Sequence, residues 1–261
     1  MLIKVTNFCS MGCSHCLENS TVAGKHMSKE TFGKALGLTE RLEGLAWSLG
    51  IPPIILLSGG ECTEHPDIIW MIEEVYRRGH FVILITNGMW IDNPELRASI
   101  LRPEWDRLMV QVTNDSRFYP SKPAEIPLDK RIGFVPTLTK MIPLGRFKNK
   151  QAPAETPFSR APTSFNLRSA TSSLGDVRVA LVELRRRAVS GLSGHCSPSV
   201  SNDGTLVAGE TNQCFTIGNV DSTPEQITRS LIAMSCNKCG LVDNLTQAEK
   251  VAIGEARIAP P

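Results

Sequence analysis

Apolar positions in the first half of the chain alternate between two periods. Leu2-Ile3-Lys4-Val5-Thr6 reads as a short strand. Ser28 fits the N-cap of a helix running through Phe32, Leu36 and Leu42. Pro52-Pro53-Ile54-Ile55-Leu56-Leu57 is an apolar run suited to a buried parallel strand. Pro66 fits the first turn of a second helix, with Ile68, Ile69, Ile72, Val75 and Tyr76 as its stripe. Arg77 and Arg78 give that helix a basic last turn, and Gly79 stops it. Phe81 to Thr86 reads as a third strand, ended by Asn87-Gly88. Leu108, Val110 and Val112 alternate in a fourth, and Ile132 to Val135 suggest a fifth. Strand–helix alternation of this kind builds a parallel sheet, and a curled one makes a partial, open TIM-like barrel of five or six strands. In such barrels the chemistry sits at the carboxyl ends of the strands.

The second half is less regular. Leu144 to Ser173 is rich in Pro, Ser, Thr and Ala, with scattered Arg and Lys, and reads as a long solvated loop or a lid over a substrate opening. Asp176 to Arg187 is ambiguous. Val177, Val179 and Leu181 suit a sixth strand, whereas Val182, Leu184 and the basic run Arg185-Arg186-Arg187 suit a helix. Asn202-Asp203-Gly204 between two apolar runs signals a hairpin. Pro224 to Met234 and Gln247 to Arg257 read as helices. The chain therefore divides into a core, 1–190, and a small cysteine-rich extension, 191–261.

Composition narrows the classes. A chain of 261 residues buries a large core, and a net charge of +2 favours neither a nucleic-acid binder nor a funnel for acidic substrates. No apolar run approaches the length of a membrane span, and the opening residues read as a strand rather than a signal peptide. Eight cysteines in that context point to metal ligation in a reducing cytoplasm rather than to disulfides.

The cysteines carry the chemistry. Cys9, Cys13 and Cys16 follow directly on the first strand, with three and then two residues between them. Three thiolates on one tight loop can hold three irons of a [4Fe–4S] cube and leave the fourth iron to a ligand that is not protein. Zinc is the alternative, with His15 as a strained fourth ligand. The run Ile54 to Leu57 ends in Ser58-Gly59-Gly60-Glu61. Two glycines there let backbone approach a ligand with amide groups turned toward it, and the Glu61 carboxylate can accept from an ammonium group.

The two motifs together, in this order, resemble the radical S-adenosylmethionine (radical SAM) superfamily. The resemblance implies that Cys9, Cys13 and Cys16 hold a [4Fe–4S] cluster that cleaves SAM reductively to a 5′-deoxyadenosyl radical, which abstracts hydrogen from a substrate. It implies that Gly59, Gly60 and Glu61 bind the methionyl amine, that His15 replaces the family's aromatic residue against adenine, and that Asn87, Thr113 and Asn114 lie at the SAM-facing strand ends. An external one-electron donor such as flavodoxin or ferredoxin is implied as a partner. Cys62 stands where many relatives have proline. A lone Cys there is an inert core residue or a candidate for substrate chemistry.

The extension brings Cys196, Cys214, Cys236 and Cys239 into a hairpin, a short helix and a C-x-x-C pair. Four thiolates complete a zinc site or a second cube. On a radical SAM core the arrangement resembles the Twitch form of the SPASM extension, with one auxiliary [4Fe–4S] cluster that accepts the substrate's electron. That implies a dehydrogenation of a small molecule or a peptide side chain. The alternatives are a maturase that cross-links or otherwise modifies a ribosomally made peptide, and a non-catalytic metal-binding scaffold. A scaffold has no use for an open iron together with Glu61.

Overall fold

A computed structural model of the chain describes residues 1–113, 119–123, 125–134, 164–189, 198–212 and 214–234. In order, β1 spans Leu2–Thr6, α1 Lys29–Ser48, β2 Ile54–Gly59, α2 Ile68–Arg77, β3 Phe81–Thr86, α3 Pro94–Ile100, β4 Leu108–Val112 and β5 Ile132–Phe134. Then come α4 Ser164–Leu174, α5 Val177–Val189, β6 Ser199–Val200, β7 Thr205–Val207, β8 Thr216–Asn219 and α6 Pro224–Ala233. The strands form one sheet in the order β5-β4-β3-β2-β1-β6-β7-β8. From β5 to β6 all neighbours are parallel, and β6, β7 and β8 pair antiparallel. This mostly parallel α/β sheet has the arrangement of a partial barrel.

The helices form where the sequence places them, for local reasons. The Ser28 side chain caps α1 by accepting from the Thr31 N–H, and Phe32, Ala35, Leu36, Leu38 and Leu42 turn inward. They meet Ile3 and Val5 of β1, Ile55 and Leu57 of β2, Val82 and Leu84 of β3, and Leu108 and Val110 of β4 in one buried core. Gly79, at φ +81°, ends α2 in a left-handed turn that few side chains tolerate. Thr223 and Gln226 close a reciprocal capping box at the start of α6.

Two expectations from the sequence are corrected. Residues 176–187 are not a sixth strand: Val177, Ala180, Leu181 and Leu184 are buried at helical spacing in α5, while Val179, which strand alternation would bury, is exposed. Residues 164–173, read as part of a long loop, belong to α4, where Leu167 and Thr171 are fully buried and the Thr171 hydroxyl donates to the Leu167 carbonyl at 2.7 Å. A sixth parallel strand does exist, but the extension supplies it. β6 pairs with β1 at Leu2↔Ser199 and Ile3↔Val200, on the edge opposite β3 and β4. The hairpin forms as expected, with Gly204 at φ +86° in its turn. The expected helix 247–257 lies outside the described residues. Among the described residues no helix is long and apolar enough to cross a membrane.

Candidate functional site

The carboxyl ends of β1 and β2 lie side by side, and the two motifs meet there. β1 is irregular between Lys4 and Thr6, where its register on β2 slips so that Thr6 faces Gly59. The chain then leaves the sheet into the cysteine loop. That loop is fastened at its base: the N–H of Asn7 donates to the Lys25 carbonyl at 3.1 Å, and that of Cys9 to the Thr21 carbonyl at 3.1 Å. Beyond the base, the carboxylate of Glu64 accepts from the Ser10 N–H at 3.0 Å and from the Ser10 hydroxyl.

The glycines answer a packing demand from that loop. A Cβ on Gly59 would stand 2.1 Å from the Thr6 carbonyl oxygen, and one on Gly60 would stand 2.1 Å from that of Phe8. Gly59 also has φ +136°, open to glycine alone in practice. The backbone N–H groups of Gly60 and Glu61 donate to the Thr6 and Phe8 carbonyls at 2.8 and 2.9 Å. The expectation that these amides face a ligand is therefore corrected. They stitch the end of β2 to the start of the cysteine loop, because an exposed strand end satisfies its N–H groups from the nearest carbonyls.

Glu61 is buried, at 2% exposure. Its Oε1 accepts from the Thr63 N–H at 3.1 Å, the Thr63 hydroxyl at 2.6 Å and the Thr86 hydroxyl at 2.6 Å. Its Oε2 accepts from the Asn87 N–H at 2.7 Å. A carboxylate has about four lone-pair sites, two on each oxygen. Oε1 is crowded and Oε2 retains capacity for one more donor. Burial pushes the carboxyl above its ordinary range, against the pull of the Thr63 and Thr86 hydroxyls and the Asn87 N–H. The same carboxylate joins the ends of β2 and β3.

Asn87 follows on: its side-chain oxygen accepts from the Met89 N–H at 2.9 Å, and Gly88 turns the chain at φ +87°. Thr113, past the end of β4, binds back to β3, its N–H and hydroxyl both donating to the Thr86 carbonyl at 2.8 and 3.2 Å. Tyr119 joins this corner to the cysteine loop. Its hydroxyl donates to Thr113 Oγ1 at 3.0 Å and its ring stands 5.0 Å from that of His15. The sequence reading missed Tyr119; its signal was that only two tyrosines occur in the chain. Asn114, Cys196, Cys236 and Cys239 lie outside the described residues.

The three thiols of the loop differ in exposure. Cys9 and Cys16 are half-buried and Cys13 is buried. The Ser20 N–H donates to Cys16 Sγ at 3.4 Å, the kind of bond that steadies a cluster thiolate. Burial holds the Cys9 thiol above its ordinary value, the Met11 backbone opposing it and Glu61 and Glu64 adding to it. A metal that takes the thiolate must therefore displace the proton. Among the described residues no three His, Cys, Asp or Glu side chains converge on a point.

Of the two readings of Cys62, its placement fits the packing one. It is fully buried in the core and its thiol donates to the Ile85 carbonyl at 3.3 Å. Burial beside Glu61 pushes the thiol well above its ordinary value, so it stays protonated. Cys214 sits in the loop between β7 and β8, half-buried, its N–H donating to the Thr211 carbonyl at 2.9 Å.

A parallel sheet whose first strand opens into a three-cysteine loop, stitched to a glycine-rich corner that ends in a buried carboxylate, defines a cofactor-handling α/β enzyme. Residues 3–140 match the sequence pattern of the Radical SAM superfamily, and the chain belongs to that superfamily. Among solved structures it is similar to SuiB of Streptococcus suis bound to S-adenosylmethionine, with a TM-score of 0.50 and 11% identity over 92% of this chain and 70% of that one. At that identity the likeness is one of fold. No curated protein matches the chain.

Proposed function

We propose that the chain is a radical SAM oxidoreductase in which Cys9, Cys13 and Cys16 hold a [4Fe–4S] cluster and Gly59, Gly60, Glu61, Asn87, Thr113 and Asn114 surround SAM. When bound, the cluster supplies the electron that splits SAM and so starts hydrogen abstraction from the substrate. The observation that carries this reading is the stitching of the two motifs: the N–H groups of Gly60 and Glu61 fasten Thr6 and Phe8, the residues that lead into Cys9. A scaffold needs no such corner.

The chain's own residues then have distinct tasks. Glu61 holds the ends of β2 and β3 through Thr63, Thr86 and Asn87, and offers Oε2 to the methionyl ammonium. His15, propped by Tyr119, presents a ring to adenine. Cys196, Cys214, Cys236 and Cys239 hold a second cluster that accepts the substrate's electron, so that the net reaction is a dehydrogenation. A small molecule or a peptide side chain serves as substrate, and a flavodoxin- or ferredoxin-type donor reduces the first cluster. The superfamily's peptide-maturing chemistry is the second reading, consistent with the fold shared with SuiB.

Iron content and product analysis separate these readings. Anaerobically reconstituted protein should hold about seven to eight irons, the count for two cubes. Changing Cys236 and Cys239 to Ala should halve the iron, leave reductive SAM cleavage intact and stop product formation. Zinc in place of half the iron, or normal product from the folded variant, would remove the electron-acceptor role.

A further inference from the structure

Lys4 is a buried cation that the proposed reaction does not use. It alternates along β1 with Ile3 and Val5, which enter the core, and so leaves the opposite face of the sheet. Only 2% of it is exposed. Its Nζ lies 2.7 Å from Glu18 Oε1 and donates to Asn212 Oδ1 at 3.1 Å. The other Glu18 oxygen accepts from the Asn212 N–H at 3.2 Å, and the Ser201 hydroxyl donates to Asn212 Oδ1 at 2.6 Å. A buried ion pair is retained only where hydrogen bonds satisfy its remaining groups, and Asn212 supplies them from both its side chain and its backbone.

The members of this network come from distant parts of the chain. Glu18 is two residues beyond Cys16, and Asn212 is two residues before Cys214. Two residues of chain span at most about 7 Å. Each cysteine-bearing loop is thus gripped close to its thiol, and both grips close on one ammonium group rooted in the first strand. β6, paired to β1 at Leu2 and Ile3, brings the second loop into range. Burial lowers the Lys4 ammonium's pKa, while Glu18 and, more weakly, Cys214 and Glu210 hold it charged.

We propose that Lys4, Glu18 and Asn212 form a positioning unit that couples the order of the Cys9–Cys16 loop to that of the Cys214 loop. Filling the first site then stiffens the second, and the two are held at a fixed separation. The metal role of Cys214 rests on the function proposed above; the mechanical link between the loops does not.

Amide hydrogen exchange on the full-length protein tests the link in two arms. In metal-free protein, Asn212→Ala keeps the Lys4–Glu18 pair and the residue-212 N–H bond to Glu18, but removes the side-chain oxygen that joins Lys4 and Ser201 to the loop. Exchange should quicken about tenfold at residues 17–20 as well as around 212, although nearly two hundred residues of sequence separate them. In the second arm the first cluster is loaded in a Cys236→Ala, Cys239→Ala background, so that no second cube forms. Residues 208–212 should gain protection on loading, and Asn212→Ala or Lys4→Met should reduce that gain. Iron assay shows whether the first site filled, which separates failure of the function from failure of the link. An effect of Asn212→Ala confined to residues 208–214, or protection that ignores both substitutions, would overturn the proposal. Amides of β3 and β4 serve as the folding control in every sample.

Discussion

The corner at the end of β2 and the loop that follows β1 are adjacent, yet they are built on different principles. The corner is closed by the protein's own bonds: two glycines that admit no Cβ, two backbone N–H groups given to Thr6 and Phe8, and a carboxylate that accepts from two backbone N–H groups and two threonine hydroxyls. The loop is fixed at its base by Thr21 and Lys25 and at one side by Glu64, while its thiols stay free of disulfides. A rigid corner thus presents a loop whose final geometry is set by the metal it binds. Substitution of the corner's glycines should damage the loop, whereas loss of a thiol should leave the corner intact.

The largest effect should come from Gly60→Ala. Its Cβ would meet the Phe8 carbonyl at 2.1 Å, backbone against backbone, with no side chain to move aside. The variant should lose the first cluster's iron although every thiol remains, as read by iron content and the cluster's electron paramagnetic resonance signal. Full loading would show that the corner does not govern the loop.

Phe32→Ala removes a fully buried ring of α1 and should cost about 3–5 kcal/mol of stability, measured by denaturant unfolding. It should leave SAM affinity unchanged under conditions where the variant stays folded, since the ring packs on Trp70 within the core.

Glu61→Gln is subtler. The amide group would turn its NH2 either to the Asn87 N–H or to the Thr63 N–H, so one bond is replaced by a donor–donor contact. SAM binding should weaken roughly tenfold, the loss of one charge-assisted hydrogen bond, while iron in the first site stays near its full count. Unchanged affinity would detach Glu61 from the ammonium group.

The smallest effect concerns acid. Glu74, paired with Arg77 and Arg78, has its carboxyl held down at about 2. A depressed folded value means that the pair's stabilisation is complete above the carboxyl's ordinary range and is lost as pH falls toward 2. Glu74→Gln should therefore flatten the acid limb of the stability curve slightly, and leave stability near neutral pH within about 1 kcal/mol because the pair lies toward the surface.

The parallel strands were legible because buried runs such as Ile54–Leu57 and Phe81–Thr86 leave no other reading, and Ser28 and Gly79 marked helix ends by local chemistry. The helix at 177–189 was not, since Val177, Val179 and Leu181 satisfy both periods until burial decides. β6 as a neighbour of β1 was out of reach: a two-residue strand has no period, and its pairing is tertiary. At the site, the three cysteines and Glu61 announced themselves by spacing. The Lys4–Glu18–Asn212 contact did not, because a lysine inside a strand reads as a solvated face until the partner loop is placed.

The central claim is that the three thiols and the corner beside them make a SAM-cleaving centre. Anaerobic protein with the first cluster loaded, given SAM and a strong reductant, should form 5′-deoxyadenosine. The same chain with Cys9, Cys13 and Cys16 changed to Ala should lose about half its iron and form none. Cleavage that survives in the triple variant, or its absence from folded and fully loaded native protein, would contradict the account.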